Sequence, residues 1–303
     1  MIVVAGEALI DLVPQGPADA GLPALAPRLG GGPYNTAVAL GRLGSPAAFW
    51  SRVSTDAFGD ALVAGLRAAD VDVSYVQRGA EPTTLAVASI GADGSAGYSF
   101  YVEGTADRLF TAPERLPDDV RAMSFGTCSL VLEPGASAYE ELMRRAAAQG
   151  VCTVLDPNIR AGLIPDADAY RARFRSWLPS ISLLKLSEDD ASWLGGTPRE
   201  WLASGPGAVV ITRGGEGLTV FTRDGGEWSV PGERVDVVDT IGAGDTVNAA
   251  LLHALCARDA LSAESLASLG ADSWSDVLRF AARAAAVTVS RTGAEPPYAK
   301  ELG

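Results

Sequence analysis

The chain has 303 residues, 48% of them hydrophobic, which is enough to bury a core of ordinary size and fits one large domain or two modest ones. Its 37 acidic residues against 24 Lys and Arg give a net charge of −13, which disfavours nonspecific binding to nucleic acid or to an anionic membrane. The three cysteines lie far apart and indicate a reducing compartment rather than a disulfide framework or a zinc site. No apolar run reaches the length of a membrane span, and Glu7 and Asp11 interrupt the apolar N-terminus, so we expect a cytoplasmic protein.

Short apolar runs alternate with helical segments along the chain. The runs IVVAG, VCTVLDPN, LLKLS and AVVITRGG are typical of buried parallel strands that lead into loops at their carboxyl ends. The segments YNTAVALGRLG, AFGDALVAGLRAAD, AYEELMRRAAAQG and VLRFAARAAAVTVSR have helical character, and in the second of them Phe58, Leu62 and Leu66 recur four residues apart. The alternation predicts an α/β fold in which helices cover both faces of a mostly parallel sheet.

Two segments, residues 9–29 and 83–102, break this alternation. Both resemble antiparallel strands joined by polar turns, and the second carries Tyr98, Phe100 and Tyr101 beside several glycines. They predict a small sheet outside the main one. Because no repeat, low-complexity tract or linker marks a boundary, we expect a single domain over residues 1–303 to which these two segments contribute the small sheet.

The first glycine cluster, LGGGPYNTAVALGRLG at residues 29–44, opens a predicted helix. One interpretation is a surface turn followed by a helix boundary. The other is a binding loop, because Gly31 and Gly32 would let the main chain lie against a polyhydroxylated ligand, and the amide of Asn35 can both donate and accept hydrogen bonds.

The second cluster, DTIGAGDT at residues 239–246, lies between a predicted strand, VDVVD, and an apolar helix. The main chain of Gly242, Ala243 and Gly244 would present unpaired N–H groups to an anion at the helix N-terminus. Asp245 is then either the helix cap or a base beside this anion site. In either position the helix dipole is expected to lower the pKa of its carboxyl group, which leaves a weak base that suffices for phosphoryl transfer.

These motifs resemble the ribokinase-like sugar kinases, also called the phosphofructokinase B family, and among them the bacterial fructokinases. The similarity extends in order from VVAGEALIDLVP through GGGPYNTAVALGRLG, LDPNIRAGL, LKLSEDD and VVITRGGEGLTVF to VVDTIGAGDTVNAALL, and so covers nearly the whole chain. The resemblance implies a three-layer ribokinase-like fold, a β-sheet lid formed by the two irregular segments, and ATP with Mg²⁺ as the phosphoryl donor. Through its lid, such a chain can also form a homodimer.

The resemblance also implies roles for individual residues. It makes Asp245 the catalytic base and the N–H groups of Gly242, Ala243 and Gly244 its anion hole. The sugar-binding positions that it implies are Asp11, Gly31, Gly32 and Asn35, joined by Glu133 and by Arg160, which could reach a phosphate or a carboxylate of the substrate. The implied nucleotide-binding positions are Thr212, Gly214 and Gly217, with Lys185 and Ser187 nearby.

Two motifs depart from the family pattern. The element that helps to place magnesium, commonly Asn-x-x-Glu or Ser-x-x-Glu, here begins at Ser187 and ends in Asp190, which is one methylene shorter and so reaches less far toward a water-mediated magnesium site. Members that bind K⁺ use an Asp and main-chain carbonyls near the anion hole, where this chain has Asp239 and Ile241. The other half of that site has Pro297 in place of a small hydroxyl residue.

Other functions have weaker support in the sequence. An NAD-dependent Rossmann oxidoreductase would carry its glycine fingerprint after an early strand and with a third glycine. A non-catalytic sugar-binding protein would be expected to lack Asp245 or the glycines before it. The single histidine, His253, supplies neither a hydrolase triad nor a metal site. Among sugars, the resemblance favours D-fructose phosphorylated at its 6-position, followed by 2-keto-3-deoxygluconate, ribose and nucleosides.

Overall fold

The computed structural model describes residues 1–16, 23–90 and 96–303, and these are arranged around a sheet of eight strands in the order β14-β13-β12-β11-β10-β9-β1-β4. The strands of this sheet are β1 (Ile2–Ala5), β4 (Ala47–Trp50), β9 (Ala122–Gly126), β10 (Cys152–Asp156), β11 (Leu183–Ser187), β12 (Ala208–Thr212), β13 (Leu218–Thr222) and β14 (Glu227–Val230). Six neighbouring strands, from β12 to β4, run parallel, and β13 and β14 continue the sheet antiparallel. The predicted mostly parallel sheet is confirmed.

Helices pack on both faces of this sheet. Successive strand residues point to opposite sides, and the apolar side chains on each side need a covering layer. Val4 belongs to one hydrophobic core and its neighbour Val3 to the other. The described helices are α1 (Gly32–Arg42), α2 (Ala57–Ala68), α3 (Gly135–Ala148), α4 (Ala167–Trp177), α5 (Glu188–Leu194), α6 (Pro198–Leu202), α7 (Ala243–Ala257), α8 (Ala263–Ser268) and α9 (Ala271–Val289). Within the described ranges, none of them has both the length and the apolarity needed to cross a bilayer.

Helix α2 shows how local sequence sets these elements. Asp56 caps its N-terminus by accepting a 2.7 Å hydrogen bond from the N–H of Gly59. Of the predicted apolar stripe, Leu62 and Leu66 are fully buried, whereas Phe58 at the start of the helix is 37% exposed. The stripe therefore faces the core only from its second turn onward.

The lid is a second sheet of four strands, in the order β3-β2-β7-β8. Its strands are β2 (Leu9–Pro14), β3 (Leu25–Gly30), β7 (Leu85–Ile90) and β8 (Ala96–Tyr101). The two hairpins are antiparallel as expected, but β2 and β7, which join them, run parallel. The expectation of a purely antiparallel lid is therefore wrong at its centre, because the two hairpins come from distant parts of the chain. Gly91 and Gly94, which the sequence placed in a lid turn, lie outside the described residues. A separate two-stranded sheet pairs β5 (Arg52–Ser54) with β6 (Gln77–Gly79).

The segment before α7 is irregular. The sequence predicts a strand at VDVVD, yet residues 231–240 form no strand, and Val237 and Val238 are 64% and 60% exposed. The N–H groups of Val238 and Asp239 both donate to the carbonyl of Val289 at the end of α9. These N–H groups bond to a helix end instead of to a neighbouring strand, so the strand prediction is wrong.

Candidate active site

Two cavities meet at the N-terminus of α7. The first, which we call the lid pocket, has a volume of about 260 Å³ and lies between the lid and the carboxyl ends of the parallel strands. The second, which we call the groove, has a volume of about 420 Å³ and lies on the other side of the α7 N-terminus, toward β12, β13 and α9. Thr240 and Gly244 line both cavities. A group held in the groove would therefore face a group held in the lid pocket across the first turn of α7.

The carboxylate of Asp245 lies in this first turn. Asp245 is the third residue of α7 and 7% exposed, and it does not cap the helix, because the N-cap position is Gly242. Its Oδ2 instead accepts a 2.8 Å hydrogen bond from Nδ2 of Asn35 in α1. The interpretation of Asp245 as a cap is therefore wrong, and its side chain belongs to the lid pocket.

Burial raises the pKa of Asp245 from 3.8 to about 7. The hydrogen bond from Asn35 and the positive charges of Lys185 and Arg160 act in the opposite direction, while the charge of Asp156 adds to the rise. The expectation of a lowered pKa is wrong, because burial outweighs the helix N-terminus. A carboxyl group with a pKa near neutrality is a better base than the sequence indicated.

The glycines before Asp245 differ in their function. Gly242 has φ of 77°, in the left-handed region, and a Cβ there would lie 2.6 Å from Cβ of Ala294. Gly244 has helical geometry, and a Cβ there would lie 3.1 Å from Nζ of Lys185. The N–H of Ala243 donates a 3.3 Å bond to the carbonyl of Thr240, so an anion at this helix end would compete with that long bond.

Lys185 lies behind the first turn of α7 rather than in the groove. It is 3% exposed, and its Nζ donates a 2.7 Å hydrogen bond to Oδ2 of Asp156 at the end of β10. The buried ammonium reaches Gly244, because β11 directs the side chain under the helix N-terminus. The nucleotide-binding role of Lys185 stays a prediction.

Ser187 and Asp190 form a capping box at the start of α5. Oγ of Ser187 accepts a 3.0 Å bond from the N–H of Asp190, and the Asp190 carboxylate accepts bonds from the N–H groups of Ser187 and Ile159 at 3.3 and 2.8 Å. Neither residue lines the groove. Both side chains thus cap α5, and Asp190 also joins it to the loop after β10, while their predicted nucleotide and magnesium contacts stay predictions.

The other predicted nucleotide-binding residues do line the groove. Thr212 ends β12, and Gly214 and Gly217 follow it in the next turn. Gly217 has φ of 104°, and a Cβ there would lie 2.0 Å from the carbonyl oxygen of Val230. Only glycine therefore fits this turn, which forms one wall of the groove.

The predicted sugar-binding residues Asp11, Gly31, Gly32, Asn35 and Arg160 all line the lid pocket. Burial raises the pKa of Asp11 to about 6, and the nearby charge of Arg160 acts against this rise. Gly31 has φ of 105°, and a Cβ there would lie 2.8 Å from the carbonyl oxygen of Glu7. From the lid, Tyr98 and Phe100 complete the pocket.

Glu133 is the exception among them. It is exposed and does not line the lid pocket. Its carboxylate accepts a 2.8 Å bond from Arg173 and a 3.0 Å bond from the N–H of Ser137. These partners hold its side chain at the start of α3, and the sugar-binding role of Glu133 stays a prediction.

Sequence reasoning missed Glu7, which lies on the floor of the lid pocket and is 1% exposed. Its carboxyl group accepts hydrogen bonds from Oγ1 of Thr127 and from both Oγ and N–H of Ser129. Thr127 has φ of 56°, which is strained for a β-branched residue, and Asn158, also in the pocket, has φ of 42°. A signal was available, because each of these residues follows the carboxyl end of a predicted or buried strand.

The predicted cation loop lies beside the α7 N-terminus. Asp239 accepts a 3.0 Å bond from the N–H of Ile241 and a 2.8 Å bond from the N–H of Gly293. The structure thereby joins the two chain segments that the sequence assigned to one site. No group of three or more His, Cys, Asp or Glu side chains that could hold a metal ion occurs within residues 1–16, 23–90 and 96–303.

Comparison with known proteins agrees with this arrangement. Residues 1–301 match the family described as pfkB family carbohydrate kinase. A fructokinase from Rhizobium leguminosarum bv. trifolii is 41% identical over 277 residues, covering 89% of this chain and 84% of the relative, and fructokinase-2 from Zea mays is 33% identical, covering 98% and 90%. The crystal structure of a fructokinase from Xylella fastidiosa with bound ATP is similar with a TM-score of 0.88 and 30% identity, over 99% of this chain and 97% of that one.

The fold and the paired cavities thus belong to a class of phosphoryl-transfer enzymes that act on sugars. The chain is a member of the pfkB family of carbohydrate kinases.

Proposed function

We propose that this carbohydrate kinase transfers the γ-phosphoryl group of ATP to the 6-hydroxyl of D-fructose, giving fructose 6-phosphate. The observation that carries the proposal is the meeting of the lid pocket and the groove at Gly244, with the buried carboxylate of Asp245 at the junction. The fructokinases among the relatives support the choice of sugar. ATP as the donor is supported by the solved relative that holds it. We also propose that the reaction takes place in the cytoplasm.

In this proposal each cavity has one substrate. The sugar lies in the lid pocket with hydroxyls near Asp11 and Asn35, and ATP lies in the groove along Thr212 and Gly217. Asp245 accepts the proton of the attacking hydroxyl as the bond to phosphorus forms. The N-terminus of α7 stabilises the negative charge of the transferring group through its N–H groups and its dipole.

The lid completes the site by excluding water. Tyr98 and Phe100 form its inner surface, and closure over the sugar would prevent transfer of the phosphoryl group to water. Because a sheet lid presents edge strands, β3 and β8, we also propose that two copies pair through it.

Metal ions fit this site only in part. Mg²⁺ would arrive with ATP and would take most of its ligands from phosphate and water oxygens. A monovalent cation such as K⁺ would be held by carbonyl groups of the loop that contains Asp239 and Ile241, where the carboxylate of Asp239 already accepts two N–H bonds. Bound there, it would add positive charge beside the anion site.

Arg160 supports a second candidate substrate, 2-keto-3-deoxygluconate. Its exposed guanidinium lines the lid pocket, and Nη1 donates to Oδ1 of Asn158 at 2.7 Å, so a further N–H is available for a substrate carboxylate. The neighbouring Asp11 favours a neutral sugar instead, because it supplies a negative charge near the same guanidinium.

The test is a panel of acceptors in an ATP-coupled assay: fructose, ribose, 2-keto-3-deoxygluconate, adenosine and fructose 1-phosphate. We expect the highest kcat/KM for fructose. Arg160→Gln should leave fructose within about fivefold of wild type, since a neutral sugar needs no cation there. A higher kcat/KM for the keto-deoxy acid, lost in Arg160→Gln, would contradict the assignment of fructose.

A further inference from the structure

A small cavity lies behind Asp245, on the side away from the lid pocket. Its volume is about 10 Å³, and its polar lining comes from Thr36, Ser124, Thr127, Asp156, Asp245 and Asn248. We call it the rear cavity. It adjoins the lid pocket, in which the sugar would bind, and Gly32, Thr127 and Asp245 line both cavities.

Two oxygen atoms of residues that line the rear cavity have no hydrogen-bond partner among the described residues. They are Oδ1 of Asp156 and Oδ1 of Asn248, and these residues are only 5% and 3% exposed. The other polar atom of each side chain is engaged: Oδ2 of Asp156 accepts from Lys185 at 2.7 Å, and Nδ2 of Asn248 donates to Oγ of Ser124 at 3.0 Å. Leaving such an atom unsatisfied costs the full desolvation penalty of that group.

The chemistry of these atoms defines what can occupy the cavity. Both are acceptors, so the occupant must be a donor or a cation. A cation is disfavoured, because the ammonium of Lys185 already neutralises Asp156 and would repel a second positive charge close by. A water molecule has two hydrogens to donate, and about 10 Å³ is roughly the space that the centre of one water needs.

We infer that the rear cavity binds one water molecule, which donates its two hydrogens to Oδ1 of Asp156 and to Oδ1 of Asn248. With both hydrogens used, the water presents only lone pairs to its third neighbour, Asp245. It can therefore accept a hydrogen bond from the carboxyl group of Asp245 once that group carries a proton. It has no hydrogen left to donate to the ionised carboxylate.

This orientation makes the water specific for one stage of the reaction. It rests on the proposed function, in which Asp245 gains its proton from the sugar hydroxyl. The water then holds the protonated carboxyl group in place while Asn35 donates to the other oxygen. Asn248 is accordingly a positioning residue that acts through the water, and it does not touch the sugar.

The first test is a crystal structure of the unmodified protein without substrates, at a resolution that shows ordered water. We expect a single density peak within about 3.2 Å of both orphaned oxygens. An empty cavity would overturn the inference. So would a cation there, recognised by replacement with Rb⁺ or Tl⁺ and their anomalous signal.

The second test compares two variants of α7. Asn248→Leu fills the rear cavity and removes one acceptor, whereas Thr246→Val removes a buried 2.9 Å hydrogen bond between Thr246 and Thr288 that does not involve the cavity. We expect kcat to fall at least tenfold in Asn248→Leu with the KM for sugar within twofold, and both values to stay near wild type in Thr246→Val.

Equal losses in the two variants, or a change in KM alone, would reduce Asn248 to a packing residue and overturn the inference. Should Asn248→Leu fail to fold, Asn248→Ala, which removes the side-chain acceptor without adding volume, replaces it with the same expectation. Failure of the proposed function is distinguishable, because it would appear as absent fructose turnover in the unmodified protein, whereas the density peak can be tested without any substrate.

Discussion

At the scale of single residues, the titration of the proposed base Asp245 should set the pH dependence of the reaction. A base must be ionised to accept a proton, and burial raises its pKa to about 7. We therefore expect log kcat/KM for the sugar, which reports the titration of the free enzyme, to fall with unit slope below about pH 7. Asp11, with a pKa of about 6, lies in the substrate pocket. Asp11→Asn should therefore raise the KM for sugar, while the fall in rate on the acid side of the pH profile should stay near pH 7. If the rate of the unmodified protein falls only below pH 5, Asp245 is not the base.

Replacing Asp245 by Asn should separate folding from activity. Asn keeps the shape of the side chain, and turnover should fall by roughly two to four orders of magnitude, which is the usual contribution of a positioned proton acceptor. Steady-state kinetics measure the loss, with circular dichroism and sugar binding as controls. A folded, sugar-binding variant with near-normal turnover would contradict the assigned mechanism.

The same substitution should stabilise the protein at alkaline pH. Since the pKa of Asp245 is raised in the folded state, its contribution to stability is complete below pH 4 and is lost as the pH rises through 7. The free energy of unfolding of Asp245→Asn should therefore exceed that of the unmodified protein at pH 8 by about 1–4 kcal/mol, because one pKa unit corresponds to about 1.4 kcal/mol. Urea titrations at pH 5 and pH 8 check the sign. A variant that is less stable at pH 8 would contradict it.

Gly242 and Gly244 should respond differently to alanine. Gly242→Ala places a Cβ in the left-handed region and against Ala294, so it should destabilise the fold by about 1–3 kcal/mol and lower turnover. Gly244→Ala meets only the flexible end of Lys185 and should lower turnover with a smaller loss of stability. Thermal unfolding and kcat measured on both variants test this order, which the reverse ranking of stabilities would contradict.

Glu7 is predicted to support the floor of the lid pocket through Thr127. Glu7→Ala removes the partner that holds Thr127 at its positive φ, so the KM for sugar should rise at least tenfold and stability should fall by about 2–4 kcal/mol. Glu7→Gln keeps an acceptor for Ser129 and should stay much closer to wild type. An unchanged KM in a folded Glu7→Ala protein would show that the pocket floor does not depend on this contact.

At the scale of elements, two carboxylates outside the lid strands, those of Asp56 and the buried Asp107, hold the base of the lid. Thr84 and Thr105, which flank the hairpin of β7 and β8, both contact the buried Asp107, and Asp56 accepts from the N–H and Oγ1 of Thr83 at 2.9 and 2.7 Å. The strands beyond this base bury little surface: β3 is mostly exposed along its length. The lid therefore has a firm base and lightly packed strands, as a moving cover requires.

This arrangement predicts slower hydrogen exchange in the lid when sugar binds. Backbone amides of β2, β3, β7 and β8 should gain protection on addition of fructose, because closure orders the strands and excludes water. Peptides from β10, in the centre of the large sheet, serve as the internal control and should not change. Unchanged protection in the lid, with binding confirmed by calorimetry, would indicate fixed strands.

At the scale of the whole molecule, the two catalytic cavities open on one side of the sheet, and the lid carries exposed apolar side chains of its own. Tyr101 on the edge strand β8 is 62% exposed, and Leu25 and Leu29 on the opposite edge strand β3 are 39% and 37% exposed. These side chains would be covered if two copies paired through their lids, as we propose.

Pairing through the lid predicts a dimer that a charge can disrupt. Tyr101→Arg should shift the protein to a monomer in sedimentation velocity, because a buried unpaired guanidinium opposes association. Tyr101→Phe keeps the apolar surface and should remain dimeric. A monomeric unmodified protein, or a dimer that is unaffected by Tyr101→Arg, would contradict the lid as the interface.

Much of the fold could be predicted from the sequence because strand and helix periodicity are local properties. The apolar runs IVVAG and LLKLS became β1 and β11, and the glycine clusters open α1 and α7 as expected. The strand predicted at VDVVD failed for a nonlocal reason, since the amides of Val238 and Asp239 bond to the end of α9. The parallel pairing of β2 with β7 was equally inaccessible, because it depends on how two distant hairpins meet.

The sequence by itself determined the residue types of the site: the glycines that allow close approach at the N-termini of α1 and α7, and a carboxylate in the first turn of α7. Only the tertiary structure decided what those residues do. Burial, which depends on every neighbouring element, turned Asp245 from a weak base into one with a pKa of about 7. Contacts across the fold placed Glu7 beneath the lid pocket and engaged Glu133 with Arg173 away from it. Burial and long-range contacts depend on residues that are distant in the sequence, so a local pattern of residues cannot predict them.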